Sequence, residues 1–226
     1  MSLATVDIMV VLPEIVISVM ACLVLVLDLY LPARFRMQTG FVLTLAILLA
    51  ATLIILFSSV SDSVVGLNGM VVKDRISDLL KCGICLISAG VFLYSRRYAI
   101  ERGFWRGEYL VLGLFAVVGM MIMTSANHLL TVYVGVELLA LCLYAMVGMQ
   151  RDSVSASEAA MKLFVLGALA SGVLLYGMSL LYGLTGTLMI SDISVAVTRF
   201  GPPDLPLLLA LILVVVGLLF KIGAVP

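Results

Sequence analysis

Charged residues are scarce in this chain, and their scarcity limits its possible classes. Only 12% of the 226 residues are Asp, Glu, Lys or Arg, whereas 64% are hydrophobic and the mean hydropathy is +1.28. Soluble domains are about a quarter charged and about half apolar. The composition therefore excludes an ordinary soluble domain. The formal net charge of zero indicates neither a nucleic-acid partner nor an acidic soluble one.

Residues for metal and redox chemistry are equally few. His128 is the single histidine, and an interfacial polar role is favoured for it over a proton relay. Cys82 and Cys85 have C-x-x-C spacing, but they lie in an apolar run with no second ligand pair, which predicts packing residues. No phosphate loop, nucleophile–base set, haem ligand pair or iron–sulfur spacing occurs. We therefore expect no cofactor and no metal on this chain.

Long apolar runs are the dominant positive signal. Runs of about 20 residues recur, which is the length of a helix that crosses about 30 Å of hydrocarbon. The ten-residue alternation of a membrane barrel is absent. The sequence predicts an all-α, polytopic transmembrane helix bundle of about seven spans. The expected spans are 11–31, 40–59, 76–95, 109–125, 127–149, 156–184 and 205–226.

Basic residues between the spans predict the orientation. The side opposite the arginines carries only Lys73, Arg75 and Arg199. Because cytoplasmic loops are enriched in basic residues, the N-terminus is expected outside and the arginine-rich loops inside. The arginines that follow spans one, three and five are Arg34, Arg36, Arg96, Arg97, Arg102, Arg106 and Arg151.

Three charged residues within the spans form the candidate site: Glu137, Lys162 and Lys221. A charge at the bilayer centre costs roughly 2.5–3.5 kcal/mol on insertion scales. Buried charges of opposite sign therefore indicate a path for protons. A rise of about 1.5 Å per residue places all three within reach of one layer in the inner half of the membrane. A structural ion pair is the alternative for Glu137, and snorkelling to the cytoplasmic face is the alternative for Lys162.

Four further charged residues lie nearer the span ends, where solvated or capping roles are expected. Lys81 follows Asp78 by three residues, which predicts a local pair and a snorkelling side chain. The other two are Glu14 and Asp28.

Small residues predict how the last two spans pack. Gly167 with Ser171, and Ala168 with Gly172, form small-x-x-x-small pairs that permit close helix approach. Span seven ends at Gly223 and Pro226, just after Lys221. A Gly/Pro interruption beside a buried charge is typical of a broken transporter helix.

Several motifs together resemble the antiporter-like proton-pumping membrane subunits of respiratory complex I. The resemblance covers nearly all 226 residues. The three most specific motifs are Glu158-Ala159-Ala160-Met161-Lys162, Leu166-Gly167-Ala168-Leu169-Ala170-Ser171-Gly172 and Phe220-Lys221-Ile222-Gly223-Ala224-Val225-Pro226. Supporting segments are Pro13-Glu14-Ile15, Leu27-Asp28-Leu29, the stretch 125–133, Gly135-Val136-Glu137-Leu138 and Tyr144-Ala145-Met146.

The resemblance implies a role for each candidate residue. Glu137 corresponds to the family's glutamate on the fifth helix, Lys221 to the lysine on the broken seventh helix, and Lys162 to an additional lysine on the sixth. The glutamate and the seventh-helix lysine form a charge pair that tunes proton affinity, and protons enter from the cytoplasm. The resemblance thus implies a non-redox translocase subunit of NADH:quinone oxidoreductase in the bacterial inner membrane. It further implies the lipid bilayer and the other membrane subunits as partners, and FMN, iron–sulfur clusters and quinone elsewhere in the parent complex.

The resemblance also implies a domain division. Residues 1–108 are expected to form a three-helix region with an arginine-rich cytoplasmic loop, and residues 109–226 the start of the first antiporter-like inverted repeat. The family chain is about twice this length, so a truncated product is expected. Two alternatives remain open: a subunit of a multisubunit cation/proton antiporter, and an inactive remnant that serves only packing.

Overall fold

The computed structural model describes residues 3–59, 63–198 and 205–223. Within these ranges, seven helices are long and apolar enough to cross a membrane. The prediction of an all-α polytopic bundle is confirmed. The spanning helices are α2 (Leu12–Tyr30), α3 (Ala33–Phe57), α4 (Arg75–Glu101), α5 (Gly107–Ser125), α6 (Leu129–Val147), α7 (Val154–Thr185) and α9 (Leu205–Ile222).

Two short helices and a hairpin were not expected from the sequence. Helix α1 (Leu3–Val10) precedes the first span, and α8 (Ile190–Val197) lies between the last two. Strands β1 (Val64–Gly66) and β2 (Val71–Lys73) pair antiparallel between α3 and α4. These elements are too short to cross a membrane.

The helix ends follow local chemistry. The Asp74 side chain accepts a hydrogen bond from the Ser77 N–H, and the Ser77 hydroxyl oxygen accepts one from the Asp74 N–H. Together these two bonds form a capping box at the start of α4. Gly186 ends α7 at a φ of +74°, and Gly223 follows α9 at a φ of +77°. Helix α9 thus ends just before Gly223, the residue at which the sequence predicted an interruption of the seventh span. Pro226, Arg199 and the turn at 201–203 lie outside the described residues.

Helices α2 to α5 enclose the main apolar core. Ile17, Leu48, Cys85 and Leu114, one from each helix, are all fully buried in it. Cys82 packs there too. The prediction that both cysteines of the C-x-x-C motif are packing residues is confirmed.

Glycines let the remaining helices approach backbone to backbone. A Cβ on Gly217 of α9 would lie 2.9 Å from the Leu174 Cα of α7, and one on Gly177 would lie 2.8 Å from the Val214 N. Gly119 and Gly135 bring α5 and α6 together in the same way.

The small-residue prediction for α7 is correct on one face only. Gly167 and Ser171 are buried, and the ring of Tyr144 covers Gly167. Ala168 and Gly172 are exposed, and a Cβ on Gly172 would meet no atom within 4 Å.

The two ends of the bundle carry different connections. At one end, which we call the hairpin side, the Asn127 N–H donates to the Met70 carbonyl at 2.9 Å, and the Leu129 N–H donates to the Leu188 carbonyl at 2.9 Å. At the other, the arginine side, the Gln150 Nε2 donates to the Arg102 carbonyl at 3.2 Å. The loops that were predicted to share a side therefore do so.

Candidate functional site

The C-terminal helices bring two of the three predicted site residues together. Lys221 of α9 donates from Nζ to Glu137 Oε1 of α6 at 2.9 Å. The two side chains are 9% and 20% exposed. An ion pair this enclosed is poorly screened by water. Glu137 and Lys221 thus form a single charged unit inside the bundle.

Two hydroxyl groups complete this unit. The Ser171 hydroxyl of α7 donates to Glu137 Oε1 at 2.5 Å and accepts from Lys221 Nζ at 2.8 Å. The Tyr144 hydroxyl of α6 lies 3.4 Å from Lys221 Nζ, and its ring centroid lies 5.7 Å from the same nitrogen. The ammonium group therefore contacts three oxygens and one aromatic face.

Ser171 has two possible acceptors for its one proton. Besides Glu137, its hydroxyl lies 2.9 Å from the Gly167 carbonyl one turn earlier. Because a hydroxyl rotates freely, Ser171 can switch between the carboxylate and the helix backbone. The serine therefore adds a second, switchable hydrogen-bonded link between Lys221 and Glu137 beside their direct contact.

An apolar cavity of about 370 Å³ adjoins the pair. Lys221 and Tyr144 contribute to its wall, and the rest is largely hydrocarbon, including Leu139, Leu163 and Leu218. Such a wall offers no competing hydrogen bonds. The proton on Lys221 is thus held by the oxygens of Glu137, Ser171 and Tyr144.

Lys162, the third predicted residue, is placed elsewhere. Its Nζ lies 2.6 Å from Glu158 Oε1 one turn earlier, and the two side chains are 70% and 61% exposed. It precedes Ser171 by nine residues, or about 13 Å along the helix axis. The structure therefore does not bring Lys162 into the Glu137–Lys221 unit.

A second buried pair contradicts the expectation for the N-terminal region. Lys81 of α4 is 1% exposed and lies 2.5 Å from Glu14 of α2, so it does not snorkel; its close ion pair is with Glu14, and Asp78 interacts with it electrostatically. Asp78 itself is 6% exposed, not solvated. The expectation was wrong because β2 packs on α4 and helps to cover the end where a solvated lysine was expected. The signal for this pair was the opposite charge of two residues within apolar runs.

Asp28 and His128 both lie beside helix N-termini. Asp28 is 8% exposed, and a Cβ on Gly107, the first residue of α5, would overlap its carboxylate. The carboxylate therefore faces the positive end of that helix, in accord with a capping role. The His128 Nδ1 accepts from the Leu130 N–H at 3.2 Å and caps α6. In the described part of the chain, no three His, Cys, Asp or Glu residues are grouped as metal ligands.

Comparison with known proteins agrees with this architecture. Residues 126–226 match the family described as NADH:quinone oxidoreductase/Mrp antiporter, TM. The NADH-quinone oxidoreductase subunit N of Thioalkalivibrio sulfidiphilus is 51% identical over 97% of this chain and 46% of its own. Subunit N of Alkalilimnicola ehrlichii is 51% identical over 95% of this chain and 44% of its own.

A solved structure is similar as well. A chain of respiratory complex I from Thermus thermophilus with bound aureothin superposes with a TM-score of 0.71 at 31% identity, covering 92% of this chain and 43% of that one. The chain spans about half the length of the curated relatives it matches. The predicted resemblance is confirmed: over almost all of its length this chain is similar to NADH-quinone oxidoreductase subunit N, and residues 126–226 match the NADH:quinone oxidoreductase/Mrp antiporter family.

Proposed function

We propose that this chain is part of a proton-translocating membrane subunit of NADH:quinone oxidoreductase, and that Glu137 and Lys221 carry the translocated proton. One observation carries the proposal: a lysine ammonium and a glutamate carboxylate meet between α6, α7 and α9, joined by the Ser171 hydroxyl. Intramembrane ionisable groups in such positions mark proton routes in pumps and transporters. The chain contributes no redox group in this proposal, so it acts as a translocase subunit.

The proton moves by exchange within the unit. Lys221 passes a proton to the Ser171 oxygen while the Ser171 hydroxyl passes its own proton to Glu137 Oε1. Ser171 is unchanged, Lys221 becomes a neutral amine and Glu137 a neutral acid. Burial opposes both charges whereas their proximity stabilises them, so a small change in helix spacing decides between the two states. Reprotonation of Lys221 and release from Glu137 complete a transfer.

Lys162 is proposed as a proton-entry group on the arginine side. Helix α7 has 32 residues and is about 48 Å long, which exceeds the hydrocarbon thickness of about 30 Å. Lys162 follows the start of α7 by eight residues, or about 12 Å, which puts it between the arginine side and Ser171. Lys162→Gln is expected to slow proton uptake without changing the amount of assembled subunit, and unchanged uptake would remove Lys162 from the route.

The setting of the subunit is part of the proposal. Relatives named NADH-quinone oxidoreductase subunit N imply the bacterial inner membrane and the other membrane subunits of the complex as surroundings. The positive-inside rule places the N-terminus outside and the arginine side in the cytoplasm. The cysteine of an Arg102→Cys variant should react with a membrane-impermeant maleimide in inverted vesicles only. Reaction in intact, outer-membrane-permeabilised cells would reverse the orientation.

A cation/proton antiporter subunit is the second candidate, because the matched family includes Mrp antiporters. Such a subunit would show sodium-dependent transport in the purified parent assembly, whereas the proposed function requires quinone-linked proton transport.

The decisive experiment compares proton transport with electron transfer. Glu137→Gln and Lys221→Ala should each reduce the protons moved per electron sharply in vesicles that contain correctly assembled complex. Electron transfer from NADH to an artificial acceptor should be unaffected in both. Glu137→Asp is the matched control and should retain much of the transport, since its charge survives one methylene shorter. If both variants pump at the parental ratio and rate, the pair is structural and the proposal fails.

A further inference from the structure

Four charged side chains are buried together in the N-terminal region, well apart from the pair used above. They are Glu14 of α2, Lys73 of β2, and Asp78 and Lys81 of α4, with exposures of 5%, 4%, 6% and 1%. We call them the N-terminal charge cluster. Its two carboxylates and two ammonium groups sum to zero formal charge. Charged side chains are almost never this buried unless they are paired.

The cluster is linked internally. Lys81 Nζ lies 2.5 Å from Glu14 Oε1. Asp78 interacts electrostatically with both Lys73 and Lys81. The four groups therefore act as one unit, because a change of charge on any of them alters the field at the others.

Three carboxylate oxygens in the cluster lack a hydrogen bond, and one of them, Glu14 Oε1, is in ion-pair contact with Lys81. Glu14 Oε2 and Asp78 Oδ2 are fully buried and accept from no donor among the described residues. A buried ionised carboxylate needs donors, and burying an unsatisfied polar group costs free energy. Such oxygens are satisfied by an ordered water or by taking up a proton. This observation points to a bound species and is independent of the ion pair.

The chemistry of the cluster restricts that species. Two ammonium groups repel a metal cation, and two carboxylates repel an anion. A proton with its hydrating water is compatible with both kinds of group. It binds to a carboxylate oxygen that has no hydrogen bond and converts that carboxylate to a neutral acid.

A hydrogen bond connects the cluster to the hairpin side. Lys73 Nζ donates to the Ser58 hydroxyl at 2.8 Å, and Ser58, which ends α3, is partly exposed on the hairpin side. In the other direction Ile17, Ala21 and Cys85 are fully buried and close the core. The polar connection of the cluster therefore leads to the hairpin side, and hydrocarbon lies in the other direction.

We propose that the N-terminal charge cluster is a second proton-binding site, which exchanges protons with the hairpin side alone. A proton from water on that side binds Asp78 Oδ2, converts the carboxylate to a neutral acid and returns by the same path. The net charge of the cluster thus alternates between zero and plus one. This goes beyond the proposed function, because it uses none of the residues of the Glu137–Lys221 unit.

Neighbouring titratable groups contribute to the same field. Helix α5 carries Glu108 and Tyr109 at the opposite end. Among the described residues, Asp74, Cys82 and Cys85 interact electrostatically with members of the cluster.

Infrared difference spectroscopy tests the proposal in the assembled complex. The protein is reconstituted into sealed liposomes, and the pH is stepped on one side at a time. We expect a protonated-carboxyl C=O band that follows the pH on the hairpin side, is lost in Asp78→Asn, and is unchanged in Glu101→Gln. Glu101 is the control because it pairs with Arg97 on the surface. Proton uptake counted with a pH indicator should fall by about one proton per chain in Asp78→Asn.

A neutral double variant covers the case in which Asp78→Asn does not assemble. Glu14→Gln/Lys81→Met removes both charges of the buried pair while keeping its volume, a change that buried pairs often tolerate. The pH midpoint of the band should shift in this variant. The proposal is overturned if Asp78→Asn keeps the band, if the double variant leaves its midpoint unchanged, or if the band follows the arginine side. Glu137→Gln should leave the band intact, so the two proposals can fail separately.

Discussion

The Glu14–Lys81 and Glu137–Lys221 pairs have the same chemistry but different surroundings. The first is 6% and 1% exposed, and no donor among the described residues reaches its Glu14 Oε2. The second is 20% and 9% exposed, adjoins a cavity, and is hydrogen-bonded by Ser171 and Tyr144. A hydroxyl beside the pair offers a direct route for its proton, whereas the enclosed pair depends on water from one end. The same two side chains thus suit proton transfer in one place and proton binding in the other.

The largest difference between the two pairs is expected in the loss of stability when the lysine of each pair is removed. Lys81→Ala leaves Glu14 buried without a counter-charge, which is expected to cost about 3–5 kcal/mol. Lys221→Ala should cost clearly less, because Glu137 keeps its Ser171 hydrogen bond and partial exposure. Unfolding in lipid bicelles, together with the amount of each variant in membranes, measures this difference. Equal losses would mean that enclosure does not distinguish the pairs.

Helix spacing should matter at the second pair, which depends on the contact between α7 and α9. A Cβ in Gly217→Ala would overlap the backbone of Leu174, so we expect a loss of about 1–3 kcal/mol and weaker proton transport. Gly172→Ala is the matched control, with open space at its Cβ, and should gain up to about 1 kcal/mol from higher helix propensity. Bicelle unfolding and a transport assay on both variants check the opposite signs. A stabilised Gly217→Ala would contradict the close packing.

The hydroxyl at the second pair has no counterpart at the first. Ser171→Ala removes a hydrogen bond to a charged group, which is worth about 1.5–3 kcal/mol, partly recovered through Tyr144 and exposure. Proton transport should fall several-fold while electron transfer is retained. Ser18→Ala is the control, because that hydroxyl donates to the Glu14 backbone carbonyl of its own helix turn and contacts neither Glu137 nor Lys221. Parental transport in Ser171→Ala would show that the proton bypasses the serine.

A smaller loss of stability is expected from a change at the N-terminus of α4, the helix that carries Lys81 of the first pair. The hydrogen bond from the Ser77 N–H lowers the pKa of Asp74 below its ordinary value of 3.8. Since the folded-state pKa is depressed, the stabilisation is present above the ordinary pKa and is lost as the pH falls through the lowered value. Asp74→Ala should therefore cost about 1 kcal/mol near neutral pH and less in acid. Thermal unfolding of both proteins across that range measures the difference, and a constant difference would contradict the capping role.

The sequence predicted the pair nearer the C-terminus better than the one nearer the N-terminus. Glu137 and Lys221 stand far from the span ends, so depth alone identified them as charges in hydrocarbon. Lys81 lies within two turns of the start of α4 and three residues after Asp78, and sequence distance favoured a local pair at an interface. Its burial depends on Glu14 of α2 and on β2, which packs on α4 and is too short to carry a pattern that predicts it.

The spans themselves were predictable because each is a long apolar run, and the observed helices agree with the expected ranges to within a few residues at most ends. At α3 and α4 one end lies six or seven residues beyond the expected span. Partners across the bundle were not predictable to the same extent. Lys162 is a charged residue within a span, as a site residue would be, yet on α7 its side chain pairs with Glu158 and not with Glu137. One sequence carries no measure of which helix face meets which neighbour.

The hairpin between α3 and α4 is hydrogen-bonded to the turn that precedes α6, the helix that carries Glu137. The Asn127 side chain donates to the Gly69 carbonyl at 3.0 Å, and the Asn127 N–H donates to Met70, so the turn before α6 is fastened to the extramembrane strand region. Glu137 follows the start of α6 by about two turns. The position of Glu137 is therefore tied, through the start of α6, to a hairpin that lies outside the spanning helices.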